Sequence, residues 1–428
     1  MCRKLLATLL AATLITPCLA QSTTWGKIQY KGRPWVENVS RPNTISHGLQ
    51  GRHLSLWASH GRYYDIGKGE WRWQRPFLFC TTEDLYTQTL VVPYLIPMLE
   101  NAGANVFTPR ERDWQRNEVI VDNDQRSSGY LEVTTKEPWK LTGKPGFALH
   151  GGTYADLENP FQAGSARQVK ARKRRKRLSE ASYQPYFPEP GRYAVYVSYQ
   201  TLPKSVDDAE YTVYHKGGTT QFKVNQQMGG GTWIYLGTFG FNAGRNNECK
   251  VVLSNLSSKV GRIITADAVK IGGGMGNIAR RISNEGATEN LKSSDTRNLQ
   301  NTHTGNIQDR VTYSPLSTIN YQLSNYPRFC EAARYWLQWA GIPDSVYSES
   351  NGKNDYTDDY KCRGIWVNYL SGGSAVNPTE RGLNIPVNMA FAFHSDAGTT
   401  QNDSIIGTLG IYHLSLIHIS EPTRHLRI

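Results

Sequence analysis

The 428-residue chain is 39% hydrophobic with a mean hydropathy of −0.52, the balance of a water-soluble globular protein long enough for two or three domains. Its formal charge of +12 is concentrated: eight of the positive residues fall in Arg167–Arg177. That run reads as a solvated, mobile loop or, functionally, as a patch for an anionic envelope polymer or lipid headgroups, with no nucleic acid expected as the partner of an exported chain. Eleven Trp and 24 Tyr suit a protein that stacks aromatic rings on sugar faces, and equally suit large aromatic cores.

In chain order, Arg3 and Lys4 precede an apolar run that ends at Cys18-Leu-Ala20, so residues 1–20 read as a secretory signal and the chain as exported. That run is too short to span a bilayer, and no other stretch reads as an integral membrane segment. Residues 21–46 form a polar, extended lead-in. A buried strand at His53–Ala58 runs into Ser59-His60-Gly61. Thr81-Thr82-Glu83-Asp84 predicts a capped helix start, with the helix reaching Asn101 and kinked at Pro93 and Pro97. Ala104–Arg110 is the next strand, giving strand, helix, strand and hence a parallel sheet.

Beyond about residue 125 the pattern changes to short alternating strands. The clearest are 193–199, 210–215, 219–224, 232–237 and 250–253, with Gly- and Asn-rich turns between them. This spacing predicts a self-contained β-sandwich, inserted across residues 126–275 and closed by Gly272–Gly276. Residues 280–312 are loop-like. A helix with one apolar face is predicted in 326–341, and strands at Ile365–Leu370 and Val387–Phe393 return the chain to the α/β part. That part is therefore split into residues 47–125 and 276–412. Leu414–Arg424 reads as translated sequencing adaptor, so 413–428 is set aside and the natural frame is expected to continue past Tyr412. Of the four cysteines after the signal, Cys330 and Cys362 could pair, or all four could be free thiols.

Two apolar runs stop at a histidine, His60 and His394. Strand ends in an open parallel sheet collect ligands, so the two rings could meet on one zinc ion. Two hydrogen-bonded strand-end histidines fit the pattern as well. His53, inside its strand, reads as structural, and His150 and His215 as non-catalytic.

Ser59-His60-Gly61, Glu83 at a helix start, Thr108-Pro-Arg110 and Phe393-His394-Ser-Asp396-Ala397 together resemble the zinc-dependent N-acetylmuramoyl-L-alanine amidase fold. The resemblance implies His60, Glu83 and His394 as metal ligands, Zn2+ as cofactor, peptidoglycan as substrate, and Arg110 and Asp396 in supporting or substrate-facing roles. Asp396 stands where that family carries Asn. The family's general acid–base Glu would fall past Tyr412, so a fragment ending there is expected to be inactive. Pro188-Glu-Pro-Gly191-Arg-Tyr193, Tyr211-Thr-Val-Tyr-His215-Lys-Gly-Gly218, Trp233, Leu236-Gly237 and Ala266-Asp267-Ala268-Val269 resemble the golvesin C-terminal-like domain, also found in exported proteins labelled xanthan lyases. The fold expected is thus an α/β amidase-like sheet interrupted by an all-β, carbohydrate-binding-like sandwich. A polysaccharide lyase and a non-catalytic glycan-binding protein are the alternative functions.

Overall fold

His53–Ala58 is the central strand of a three-stranded, wholly parallel sheet, with Met389–Phe393 on one side and Asn105–Phe107 on the other. In this computed structural model, residues 30–43, 45, 48–77, 80–125, 128–281, 321–395, 409–411 and 425–427 are described. The signal segment 1–20, Asp396 and most of 413–428 lie outside them. The central strand is buried at five of its six residues, polar His53 and Ser55 included, as the middle strand of a parallel sheet is.

Thr82 caps the helix between the first two strands by accepting a hydrogen bond from the Asp84 amide, and the helix runs Glu83–Leu90. Pro93 cannot donate to the helical ladder, and Val91–Leu95 widen into a π-turn before regular helix resumes at Ile96–Asn101. Leu54, Leu56, Val91, Ile96 and Val106 form the small core of this unit.

Most of the regular structure is β-sheet. A six-stranded sheet runs in the order Val36–Asn38, Gly218–Val224, Ala209–His215, Lys250–Ser254, Glu180–Tyr183, Tyr130–Val133. A four-stranded sheet runs Ile234–Phe241, Gly191–Val197, Val269–Ile271, Val119–Val121. No described strand of 183–271 pairs within the parallel sheet.

Three sequence expectations need correction. The sandwich is not self-contained: Val36–Asn38 from the lead-in and Val119–Val121 from the first α/β segment supply edge strands to its two sheets. Its core also runs on without a break into the later helices, where Phe147 and Trp233 meet Trp339 at ring distances of 5.6 and 6.1 Å.

The basic run is only partly a loop. Gly164–Lys170 is a strand between Ile263–Ala266 and Lys140–Gly146, because Ala166 and Val169 face inward and Arg167 chelates Glu132 at 2.6 and 2.9 Å. Lys173–Arg177 are exposed.

Ile365–Leu370 is helix, within Asp355–Ser371. Asn354 caps it by accepting from the Thr357 amide, and Cys362, Trp366 and Leu370 line one face at four-residue spacing. By itself the apolar run suits a strand as well as a helix, and the polar, capped beginning decides for the helix. The parallel unit amounts to three strands with a connecting helix, which does not establish the amidase fold.

The four described cysteines are free thiols: Cys80 is exposed, and Cys249, Cys330 and Cys362 are buried. Among the described residues no helix is long and apolar enough to cross a membrane.

A buried ion network joins the later helices to the sandwich side of the chain. Asp355 accepts from Arg334 and Arg280, each at 2.8 Å, and from the Tyr335 hydroxyl; Asp156 also contacts both arginines, lying 3.1 Å from Arg334. Asp355 and Arg334 are 1% and 0% exposed, so removing one partner strands the others without water. Asp355→Ala is expected to lower unfolding free energy by about 3–5 kcal/mol. Urea titrations followed by Trp fluorescence would measure it, and a loss under about 1 kcal/mol would show the network to be dispensable.

Candidate metal centre

The parallel register decides where the two histidines emerge. Ala58 pairs with Phe393, so the chain leaves both strands at the same carboxyl end, with His60 two residues beyond one and His394 one residue beyond the other. Their rings lie 4.8 Å apart, edge to face. Gly61 is required by close approach: a Cβ there would sit 2.5 Å from the Glu331 carbonyl oxygen, where the 331–332 backbone crosses. The Ala332 amide donates to the Arg62 carbonyl at 2.8 Å and fixes that crossing.

Ser59 ties the strand end to the helix, its Oγ donating to the Glu83 carbonyl at 3.1 Å and lying 2.8 Å from Thr87 Oγ1. Glu83 therefore stands at a set distance from His60. Its Oε1 is 3.0 Å from His394 Nδ1, and its Oε2 is 3.4 Å from Arg75 Nε. One donor atom from each of His60, Glu83 and His394 lies within 4.8 Å of the other two.

His60 is held neutral. Burial first, and then the guanidinium of Arg363, push its pKa far below the usual imidazole range. Arg363 Nη2 donates to Nδ1 at 3.1 Å, while the buried Nε2 has no hydrogen-bond partner. That orphaned nitrogen, a second imidazole and a carboxylate suit zinc. Donors arranged tetrahedrally at about 2.1 Å from one ion stand about 3.4 Å apart, so the widest pair in the 4.8 Å spread closes by more than 1 Å when the three share it. The Arg363 contact opposes an ion, because while Nδ1 accepts a hydrogen bond the single proton of the neutral ring sits on Nε2. Arg363 has a second partner in Asp359, 3.6 Å away, and the donor set fits a metal on that basis.

Arg110 turns out to face inward. Only 4% exposed, its guanidinium donates to three backbone carbonyls: His60, Glu331 at 3.0 Å and Phe329 at 2.9 Å. It positions the strand end and does not reach toward a substrate. His53 is buried, accepts from the Trp35 amide at 3.0 Å and is pushed down to about 4, chiefly by burial, which suits a structural role. His150 pairs with Glu158, and His215 with Thr220. Asp396 lies outside the described residues.

Sequence reading missed Arg363 and Arg75. Arg363 belongs to the helix whose second half was read as strand, so its direction was illegible. Arg75 gains meaning only through Asp84, whose buried carboxylate accepts the Gln74 and Arg75 amides at 2.8 and 3.2 Å and fixes the turn that faces Glu83. Burial pushes Asp84 up to about 6.

Comparison with known proteins places the similarity in the β-rich part. Residues 150–273 match the family model of the Golvesin C-terminal domain. The chain is 32% identical over 152 residues to the xanthan lyase of Bacillus sp. (strain GL1), covering 36% of this chain and 14% of that protein. Among solved structures it is similar to Paenibacillus xanthan lyase, at 27% identity and a TM-score of 0.28 over 36% of this chain and 13% of the other. The C-terminal CBM6 of LamC, a marine laminarinase of Zobellia galactanivorans, aligns at 16% identity and a TM-score of 0.22, over 36% of this chain and 99% of the module. The chain spans about one seventh of the length of the xanthan lyase it matches, and neither similarity extends to an amidase fold. His60, Glu83 and His394 all lie outside the matched residues 150–273.

Glu331, beside the site and 1% exposed, is pushed up to about 7, by burial before all else, with Ser324, Arg328 and Arg62 pulling the other way. A carboxyl raised in the fold stabilises fully below its unfolded value, 4.5, and that stability is lost as pH rises through 7. Wild type should thus lose on the order of 2–3 kcal/mol between pH 4.5 and 7.5 relative to Glu331→Gln. Parallel denaturation curves for the two proteins would contradict this.

Proposed function

We propose that this chain is an exported, polysaccharide-directed protein in which a golvesin-type sandwich accompanies a metal-dependent hydrolytic site made of His60, Glu83 and His394. The convergence of two imidazoles and a carboxylate, contributed by two strand ends and a helix start, carries the hydrolytic part of the reading. The golvesin match and the similarity to xanthan lyase support the carbohydrate part.

Zinc held by such a set lowers the pKa of a bound water to about 7 and polarises a substrate carbonyl. The protein's own contribution is to hold the ligands ready. Burial keeps His60 unprotonated, Arg110 fixes its backbone, and Arg75 holds one oxygen of Glu83 while leaving the other to face His394. Cleavage of an amide on a glycan, as in peptidoglycan, is the finer form of this reading. A second reading, polysaccharide β-elimination, is favoured by the similarity to xanthan lyase.

Metal-free protein titrated with Zn2+ should bind one ion per chain. His394→Ala, whose side chain is 36% exposed and costs the fold little, should weaken binding by at least about tenfold. Equal zinc affinity in wild type and variant would remove the site. Incubation of the protein with peptidoglycan and with xanthan separates the two chemistries: chelator-sensitive release of amino groups marks the amidase, and unsaturated, ultraviolet-absorbing uronate ends that survive chelation mark the lyase.

A further inference from the structure

A cleft of about 550 Å3 opens where the lead-in strand, the parallel unit and the sandwich meet, and its lining includes none of His60, Glu83 and His394. Two outermost strands border it, Asn105–Phe107 of the parallel sheet and Ile234–Phe241 of the four-stranded sheet. The volume lies within the range of ligand pockets, about 300–1,000 Å3.

Its aromatic residues are organised. Tyr235 and Phe239 lie on one strand on either side of Gly237, with a β-bulge between Tyr235 and Gly237, and all three line the cleft. A Cβ on Gly237 would come 2.7 Å from the Phe239 ring, so the glycine lets that ring lie back along the strand. His215 stacks on Phe239 at 4.8 Å and 25°, and Arg112 sits 3.8 Å above the Tyr235 ring. Arg112 is fixed in turn by two hydrogen bonds to Glu100, at 2.7 and 3.0 Å. The charged lining is balanced, with Glu37 and Glu100 against Arg41 and Arg112.

We propose that this cleft is a glycan-binding site for a segment of neutral hexopyranose rings, separate from the metal centre. Flat aromatic faces beside fixed polar groups suit a sugar's apolar ring face and its hydroxyls. Balanced charge gives an acidic sugar no advantage, because the one buried guanidinium is already satisfied by a carboxylate. The cleft draws walls from both units, so a bound chain would bridge them. The proposal rests on the polysaccharide-directed reading and names where the polymer is gripped.

The test is calorimetric titration of the full chain with cellohexaose, laminarihexaose and xylohexaose, and with trigalacturonate as the acidic probe. At least one neutral oligosaccharide should bind with a Kd below about 1 mM and the uronate should not. Tyr235→Ala and Phe239→Ala should each weaken binding by about tenfold or more. Tyr235→Phe, and Tyr186→Ala at an exposed ring outside the cleft, should leave it unchanged. Melting temperatures of all four variants identify any that lose binding by unfolding, and Tyr235→Phe against Tyr235→Ala then decides the case at constant fold. Binding by none of the neutral probes, preference for the uronate, or full affinity in both alanine variants would overturn the proposal. Zinc titration of the same variants is independent of the cleft, so failure here and failure of the metal centre are told apart.

Discussion

Arg110 is the interaction on which the candidate centre depends. A guanidinium taken out of water is costly unless its donors are matched, and burial lowers its pKa to about 10. Three carbonyls from distant parts of the chain satisfy it, with Asp84 and Asp359 supplying compensating charge. The result is a junction: the end of the central strand, the 329–331 segment and the start of the helix cannot shift independently. His60 is aimed by its backbone before any ligand is present.

The same logic of burial joins the two units. The Asp355 network and the continuous aromatic core leave no clean boundary between the sandwich and the helices that follow it. A domain that plugs into a loop normally keeps its own core. Here Trp339 packs on Phe147 and Trp233, and the lead-in strand closes the six-stranded sheet. The cleft beside Arg112 is a by-product of that intimacy, since it exists only where both units supply walls.

Much of this was legible in the residues. The histidines at strand ends, the capped start at Thr82 and the alternation of 193–224 each follow from local periodicity, and the structure reproduces those elements. The helix at Asp355–Ser371 was not legible from its apolar half, because five apolar or aromatic residues around Asn368 suit either period. Arg363 and Arg75 were illegible for another reason. Their roles are set by contacts with Asp359 and Glu83 across the fold, which no spacing encodes. Arg167 within the basic run was hidden by its neighbours' charge, although Glu132 claims it for a strand.

The Met389–Phe393 strand has a further consequence. Among the described residues it is one of the two edge strands of the parallel sheet, it carries exposed Met389 and Phe391, and it delivers His394 to a partner 311 residues earlier. Contacts of such long range form late, because the intervening chain must be ordered before the ends can meet. An edge element with little covering it is also among the first to open. Metal affinity would therefore report on the whole molecule: an ion held by His394 acts as a clasp, adding its binding energy to the least secure strand and drawing the last step of folding to completion.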